Sequence, residues 1–253
     1  MNTATILSFL LFLATPSLAQ PYSSSSIFAH NDYAQPIPFF SSYDNQVGYI
    51  EADVFLINHE LFVAHTQKEI KEGKTLSALY LDPLQKKIIG NKGRAYSDST
   101  LTLTLMIDLK SEGVAAVANL VVQLNGYPEL ITCQSLKIMI SGNVPDPSLW
   151  KNIPSIIYMD GRPGIAYTLE QLERIGLIST NFNNHARWNG SGELPPGSKA
   201  KIETLIREVQ AKGKKLRFWA APDFENGWET LMSLKVDVIG TDAVDQLTDF
   251  IKR

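Results

Sequence analysis

The sequence predicts an α/β fold: a single (β/α)8 barrel of TIM type with a small β-hairpin inserted after the second strand. Eight short apolar runs, at 26–29, 50–56, 103–109, 136–141, 155–159, 177–180, 216–221 and 236–240, alternate with helical or turn segments, as in a sheet of parallel strands. The 253 residues match the roughly 250 that one such barrel occupies. Polar residues also gather at the ends of those runs, at His30, Asp53, Lys110, Asn143, Asp160, Asp223 and Asp242, and in a barrel those ends form the catalytic face. No G-x-G-x-x-G or G-x-x-x-x-G-K-[ST] follows any run, which removes the usual phosphate-loop nucleotide folds.

Taken in order, residues 1–19 read as a secretory leader. An apolar stretch, 6–14, is followed by Thr15-Pro16-Ser17-Leu18-Ala19, whose small residues suit cleavage after Ala19. The n-region has no Lys or Arg, and the apolar stretch is shorter than the roughly 20 residues that span a bilayer. A cleaved leader implies a secreted or periplasmic protein with no transmembrane segment in the mature chain, and residues 20–253 as the barrel domain. Cys133 is the single cysteine, so no disulfide can form within the chain and the core must hold the fold; Cys133 itself reads as a small buried apolar residue.

The first strand ends at His30, and 36–43 is an aromatic, proline-containing loop or short helix near that end. The second strand, 50–56, turns at Asn58-His59-Glu60 into a hairpin strand, 61–65, that brings His65 back beside it. Apolar positions 76, 79, 80, 84, 88 and 89 have helical spacing, with Pro83 kinking or splitting the helix. The third strand, 103–109, is apolar almost throughout, as for a strand covered on both faces. Helices follow at 114–124, ended by Gly126-Tyr127-Pro128, and at 199–211, ended by Gly213.

The chemistry is concentrated in Tyr49 to Thr66. Glu51 and Asp53, two residues apart on a strand, project from one face. Two like charges there repel and cost several kcal/mol if buried unpaired, which a shared divalent cation would relieve. Asp108 and Lys110 repeat the spacing on the third strand. Glu51, Asp53 and Asp108, with Asn31, make a hard oxygen set that suits Mg2+ or Ca2+ rather than zinc. His30 and His65 are then free for proton transfer, since an imidazole titrates near neutrality. His59 reads as a turn residue and His185 as a loop residue that could line the pocket.

His30-Asn31, Glu51-x-Asp53, a hairpin His65, Asp108-x-Lys110, Trp219 in a late strand and Gly240-Thr241-Asp242 resemble, in this order, the phosphodiesterase superfamily of glycerophosphodiester phosphodiesterases, phosphatidylinositol-specific phospholipases C and sphingomyelinases D. The H-N-D-Y form also resembles a little-characterised branch of it, related to a fungal protein named for altered inheritance of mitochondria. The resemblance implies one divalent cation on Glu51, Asp53, Asp108 and Asn31, with His30, His65 and Lys110 catalytic. It also implies Trp219 against the substrate, a small-molecule or lipid phosphodiester. His30 is followed by Asn31 where glycerophosphodiesterases carry Arg, which leaves the head group open.

A formal charge of −3, with 19% charged and 44% hydrophobic residues, describes an ordinary globular protein without the basic footprint of a nucleic-acid binder. The leading expectation is a metal-dependent phosphoric diester hydrolase. A non-catalytic binding barrel that retains the acidic site is the alternative, and it gives His30, His65 and Lys110 less to do. A glycosidase built on paired carboxylates gives those three residues no role at all.

Overall fold

The computed structural model describes residues 22–253; the expected leader and its cleavage point after Ala19 lie outside them. Nine strands form one sheet: β1 (Ile27–Ala29), β2 (Tyr49–Ile57), β3 (Glu60–Val63), β4 (Leu103–Leu109), β5 (Leu136–Gly142), β6 (Ile157–Gly161), β7 (Ile175–Asn181), β8 (Leu216–Trp219) and β9 (Ile239–Thr241). Eight of them run parallel in the order β8-β7-β6-β5-β4-β2-β1-β9, with β3 antiparallel to β2. A parallel bridge between Arg217 and Val238 joins β8 to β9's lead-in and closes the ring. This is the (β/α)8 barrel with its hairpin. Helices α1 (Phe40–Asp44), α2 (Asp82–Gly90), α3 (Gly113–Leu124), α4 (Pro128–Thr132), α5 (Leu169–Glu173), α6 (Pro196–Gln210), α7 (Glu225–Ser233) and α8 (Val244–Ile251) lie between and after the strands, α3 and α4 both between β4 and β5, with a 3-10 turn, Pro147–Asn152, linking β5 to β6. No helix among the described residues is long and apolar enough to cross a membrane.

Strand alternation divides the core in two. Outward-facing Ile50, Ala52, Val54, Leu105 and Ile107 belong to the large cluster shared with the helices, while Phe28, Tyr49, Met106, Met139, Leu177 and Val238 form a separate small cluster inside the barrel. That inner cluster plugs the lower half of the lumen. One register step higher, the inward positions turn polar: Glu51 and Asp53 on β2, Asp108 on β4, Ser141 on β5, Asp160 on β6 and Ser179 on β7 are all buried or half-buried. The site therefore rests on an apolar floor at the carboxyl ends of the strands.

The hairpin turn uses Asn58 and His59, both with positive φ (48° and 68°), the pairing that two-residue hairpins favour. It sets Val54 opposite Val63, so the chain leaving β3 delivers His65 to the carboxyl end of β2. His59 is thus a turn residue. The helix expected over 76–89 is a π-helical turn, Ser77–Leu81, running into α2. Pro83 stands where the π-turn gives way to α2, so the bond its missing N–H omits falls at the change of winding rather than within regular α-helix. Strands β6 and β9 lie a few residues beyond the apolar runs at 155–159 and 236–240, because tertiary pairing rather than hydrophobicity sets where the ladder begins. Helix α3 is capped by Glu112, whose carboxylate accepts from the N–H groups of Val114 and Ala115, each at 2.8 Å, meeting two of the four free N–H groups at the helix start.

Candidate active site

Glu51, Asp53 and Asp108 converge because β2 and β4 are parallel neighbours in which Asp53 pairs with Asp108, and register partners point the same way. Each offers an oxygen within 4.8 Å of the others. Lys110 Nζ donates to Asp108 Oδ2 at 2.5 Å and lies 3.0 Å from Asp53 Oδ2. The Tyr33 hydroxyl lies 2.8 Å from the same Asp53 oxygen, and His65 Nδ1 lies 3.0 Å from it. All the side-chain partners of Asp53 therefore crowd onto one oxygen.

Two features test whether these residues suit a cation. Asp108 Oδ1 is buried with no hydrogen-bond partner, a state that costs about 1–3 kcal/mol or more for a charged acceptor. It nestles against Gly142, where a Cβ would come within 2.0 Å of it, so the backbone makes room for the oxygen without satisfying it. Burial also pushes the Glu51 carboxyl above its ordinary range, against the pull of Arg217 and His30 and with the help of Asp53 and Asp108. A bare buried oxygen among three carboxylates fits a hard divalent cation of the Mg2+ or Ca2+ kind.

His30 ends β1, where its N–H bonds to Thr241 O at 3.0 Å. Its Nδ1 lies 2.7 Å from Asp242 Oδ1, and its Nε2 faces Glu51 Oε2 at 3.6 Å. Burial lowers the affinity of this imidazole for a proton, but the hydrogen bond to Asp242 and the charge of Glu51 outweigh it and hold the pKa above the ordinary histidine value. Asp242 is fixed in turn by Asp223, whose Oδ2 accepts from the Asp242 N–H at 2.7 Å while Oδ1 accepts from Trp228 Nε1 at 2.8 Å.

Asn31 adopts a left-handed conformation (φ 49°), which asparagine tolerates better than most residues. That turn directs its N–H to Glu51 Oε2 at 3.2 Å. Its side-chain oxygen lies 2.6 Å from the Tyr33 hydroxyl, whose single proton it shares with Asp53 as alternative acceptors, and its Nδ2 lies 3.2 Å from Asp242 Oδ1. Asn31 thus sits beside the carboxylates, with its oxygen engaged by Tyr33. Trp219 is 41% exposed at the end of β8 and shares a small cavity with His30, Arg217, Asp223 and Asp242. His185, by contrast, bonds Thr180 and packs edge-on against Phe218, and Asn143 donates to Ser111 O; both are structural.

Three residues of the site were not singled out from the sequence. Tyr33 bridges Asn31, Asp53 and His65. Its neighbour Asp32 is fully buried and accepts from the Phe39 N–H, Ser42 and Tyr80, which ties the 31–43 loop to the barrel. Arg217, 4% exposed, stacks 3.4 Å over the Phe28 ring centroid and reaches within 3.9 Å of Glu51 Oε1. The H-N-D-Y string carried a signal for the first two, since an acid and a phenol beside a strand-end His need partners. Arg217 sits mid-strand among apolar residues, where only the closed barrel shows what it faces.

With this geometry in place, comparison with known proteins is informative. Residues 18–131 match the AIM6-like phosphodiesterase domain, a segment that holds His30, Glu51, Asp53, His65, Asp108 and Lys110. An altered inheritance of mitochondria protein 6 homolog from Arthroderma benhamiae is 30% identical over 257 residues, covering 87% of this chain and 81% of that protein. The chain belongs to the AIM6 family. AIM6 proteins of Lachancea thermotolerans and Eremothecium gossypii are each 22% identical over 88% of this chain. The chain spans 64% of the length of the Lachancea AIM6 protein and 69% of the Eremothecium one.

Among solved structures, a glycerophosphodiester phosphodiesterase from Parabacteroides distasonis superposes with a TM-score of 0.56 at 12% identity, covering 91% of this chain and 98% of that one. An Oleispira antarctica phosphodiesterase, solved with its product sn-glycerol-3-phosphate, gives 0.55 at 14% identity over 90% and 97%. At these identities they show that the AIM6 domain shares their barrel fold.

Proposed function

We propose that this AIM6-family chain is a metal-dependent phosphoric diester hydrolase acting on a glycerophosphodiester or another small or lipid-derived phosphodiester. The observation that carries the reading is the trio of Glu51, Asp53 and Asp108 with its bare buried oxygen, flanked by two oriented histidines. Glu51, Asp53 and Asp108 hold one Ca2+ or Mg2+, with Asn31 as a further oxygen donor at the edge of the set. The cation, when bound, supplies charge for a phosphate oxygen and acidifies a neighbouring hydroxyl.

The chain's own groups do the rest. Asp242 engages Nδ1 of His30, and Asp53 with Tyr33 engages Nδ1 of His65. Nε2 of His30 then faces Glu51 at 3.6 Å, and Nε2 of His65 is left for proton exchange. One histidine takes a proton from the nucleophile and the other gives one to the leaving oxygen. Lys110, anchored by Asp53 and Asp108 at the rim of the trio, places a positive charge beside the non-bridging oxygens. Trp219 offers an apolar face, also suited to a cationic head group, to the rest of the substrate. Where the substrate carries a hydroxyl next to the phosphodiester, that hydroxyl is the nucleophile and a cyclic phosphate forms first; water then opens it with the two histidines in exchanged roles.

The test is a panel of glycerophosphodiesters and lysophospholipids incubated with the protein and Mg2+ or Ca2+, with products read by phosphorus NMR. Turnover that depends on the cation supports the reading. A protein that binds the cation but cleaves no diester is a binding barrel, and the reading fails. A deoxy analogue cleaved at the normal rate would remove the cyclic step and leave direct attack by water.

A further inference from the structure

The barrel has a second polar chamber at its other end. A cavity of about 380 Å3 opens where the strands begin, beneath the inner apolar cluster. Lys137 enters it from the start of β5, and Lys214 and Lys215 from the segment leading into β8, while Glu173 is the one acidic residue on its wall. Three lysines against one glutamate leave a net of two positive charges. Lys214 donates to Ile175 O at 2.9 Å, which uses one of its three donors. Lys137 sits 5.3 Å over the Tyr158 ring. Burial first, and the Lys137 ammonium second, hold the Lys214 pKa below the ordinary lysine value, so the two cations feel each other across the chamber.

Lysines near helix ends often answer the negative pole of the helix dipole. That does not account for Tyr49 and Thr104. Each is only 7% exposed and lines this chamber, and neither hydroxyl makes a hydrogen bond to another described residue. Both oxygens open onto the chamber rather than being sealed in the core, so they are free donors beside three ammonium groups on the same wall, a set that suits an acceptor carrying charge. The volume suits a small molecule rather than a chain segment.

We propose that this amino-end chamber binds a small dianionic oxyanion, inorganic phosphate or the phosphate of a small monoester, held by Lys137, Lys214 and Lys215 with the hydroxyls of Tyr49 and Thr104. The site stands apart from the carboxylate trio, across the apolar floor, and does not depend on the activity proposed above.

Calorimetric titration of the protein with inorganic phosphate and with sn-glycerol 3-phosphate, in the presence of a chelator that keeps divalent ions from the trio, tests it directly. Saturable binding is expected, weakened about tenfold by Lys137→Met or Lys214→Met, since each removes a charge-assisted contact, and unchanged by Glu51→Gln. The tighter of the two titrants names the source of the phosphate, and either one sustains the proposal. In the absence of anion, the same lysine substitutions should leave the melting temperature equal or raise it, by relieving repulsion. Lys137→Gln, which keeps most of the stem over Tyr158, gives the same loss should a methionine variant fail to fold. No saturable binding to the wild type, equal affinity in the lysine variants, or loss in Glu51→Gln would each overturn the assignment.

Discussion

Asp160 and Asp108 both point into the barrel, one from β6 and the other from β4, and both are held by a cation two residues further along the same strand end. Asp160 is saturated: Ser179 donates to Oδ1 at 2.7 Å, Ser141 to Oδ2 at 2.9 Å, and Arg162 to Oδ2 at 2.5 Å. Asp108 has Lys110 on Oδ2 and nothing on Oδ1. The first is an internal brace, in which a buried charge is paired and fully hydrogen-bonded. The second keeps an unmet demand next to two more carboxylates. Burial alone does not mark a functional acid; an unfilled acceptor beside like charges does.

The sharpest way to break this contrast is Glu51→Gln, which removes one charge of the trio. It should abolish divalent binding by calorimetry and cut turnover by at least 10³-fold, on the order of a lost metal site, while leaving the thermal stability of the metal-free protein the same or higher. If stability collapses and cation affinity persists, the trio is a brace like Asp160. Next in size, His30→Ala and His65→Ala should each cost on the order of 10² to 10⁴ in rate with cation affinity retained; kinetics and calorimetry on one preparation decide between proton transfer and ligation.

Asp160→Ala should show the reverse signature. Leaving Arg162, Ser141 and Ser179 without their acceptor costs about 3–5 kcal/mol in urea denaturation, with cation affinity intact. A loss of cation binding in this variant would join the two acidic regions into one site.

Asp32 gives a subtler test of a saturated acid. Burial raises its pKa in spite of bonds from Ser42, Phe39 and Tyr80. Between its unfolded and folded values the native state holds more protons than the unfolded one, so Asp32 contributes stability at acid pH that is lost as pH rises through the folded value. Asp32→Asn should therefore remove a downward slope of unfolding free energy from the weakly acidic range, measured by urea titration at stepped pH. A wild type and variant with parallel pH profiles would contradict that placement. The smallest effect is expected at Trp219, where Trp219→Ala should shift preference among phosphodiesters without abolishing turnover. A uniform loss with a lower melting temperature would make it a packing residue instead.

Much of this was legible in the chain. The barrel could be read because β4 is apolar from 103 to 107 save for Thr104 and because polar residues recur just where the strands stop. Glu51 and Asp53 could be placed on one face by strand alternation, and Asp108 beside them because barrel strand ends share one face. What strand spacing could not show was partnership across the ring: Asp242 lies 212 residues from the His30 it orients, and Arg217 meets Glu51 only because β8 and β9 close the circle. The shortest strands, β1 and β9, were blurred for a related reason. Three residues carry too little periodicity to fix a boundary, and their ends are set by neighbours.

That closure has a consequence for how the molecule breathes. Between β8 and β9 the ring is joined by the Arg217–Val238 bridge and a 3.2 Å bond from the Val238 N–H to Leu216 O, whereas β4 and β5 are paired along all seven residues. Backbone amides along this seam should trade their hydrogens for deuterium sooner than those of β4, since fewer bonds must open to admit solvent. Arg217 and Asp242 stand on its two sides and contact Glu51 and His30 respectively, so a ligand that engages both of those residues should hold the margins together. The uptake of deuterium at 216–218 and 239–241 would then report occupancy of the mouth from the backbone of the wall behind it.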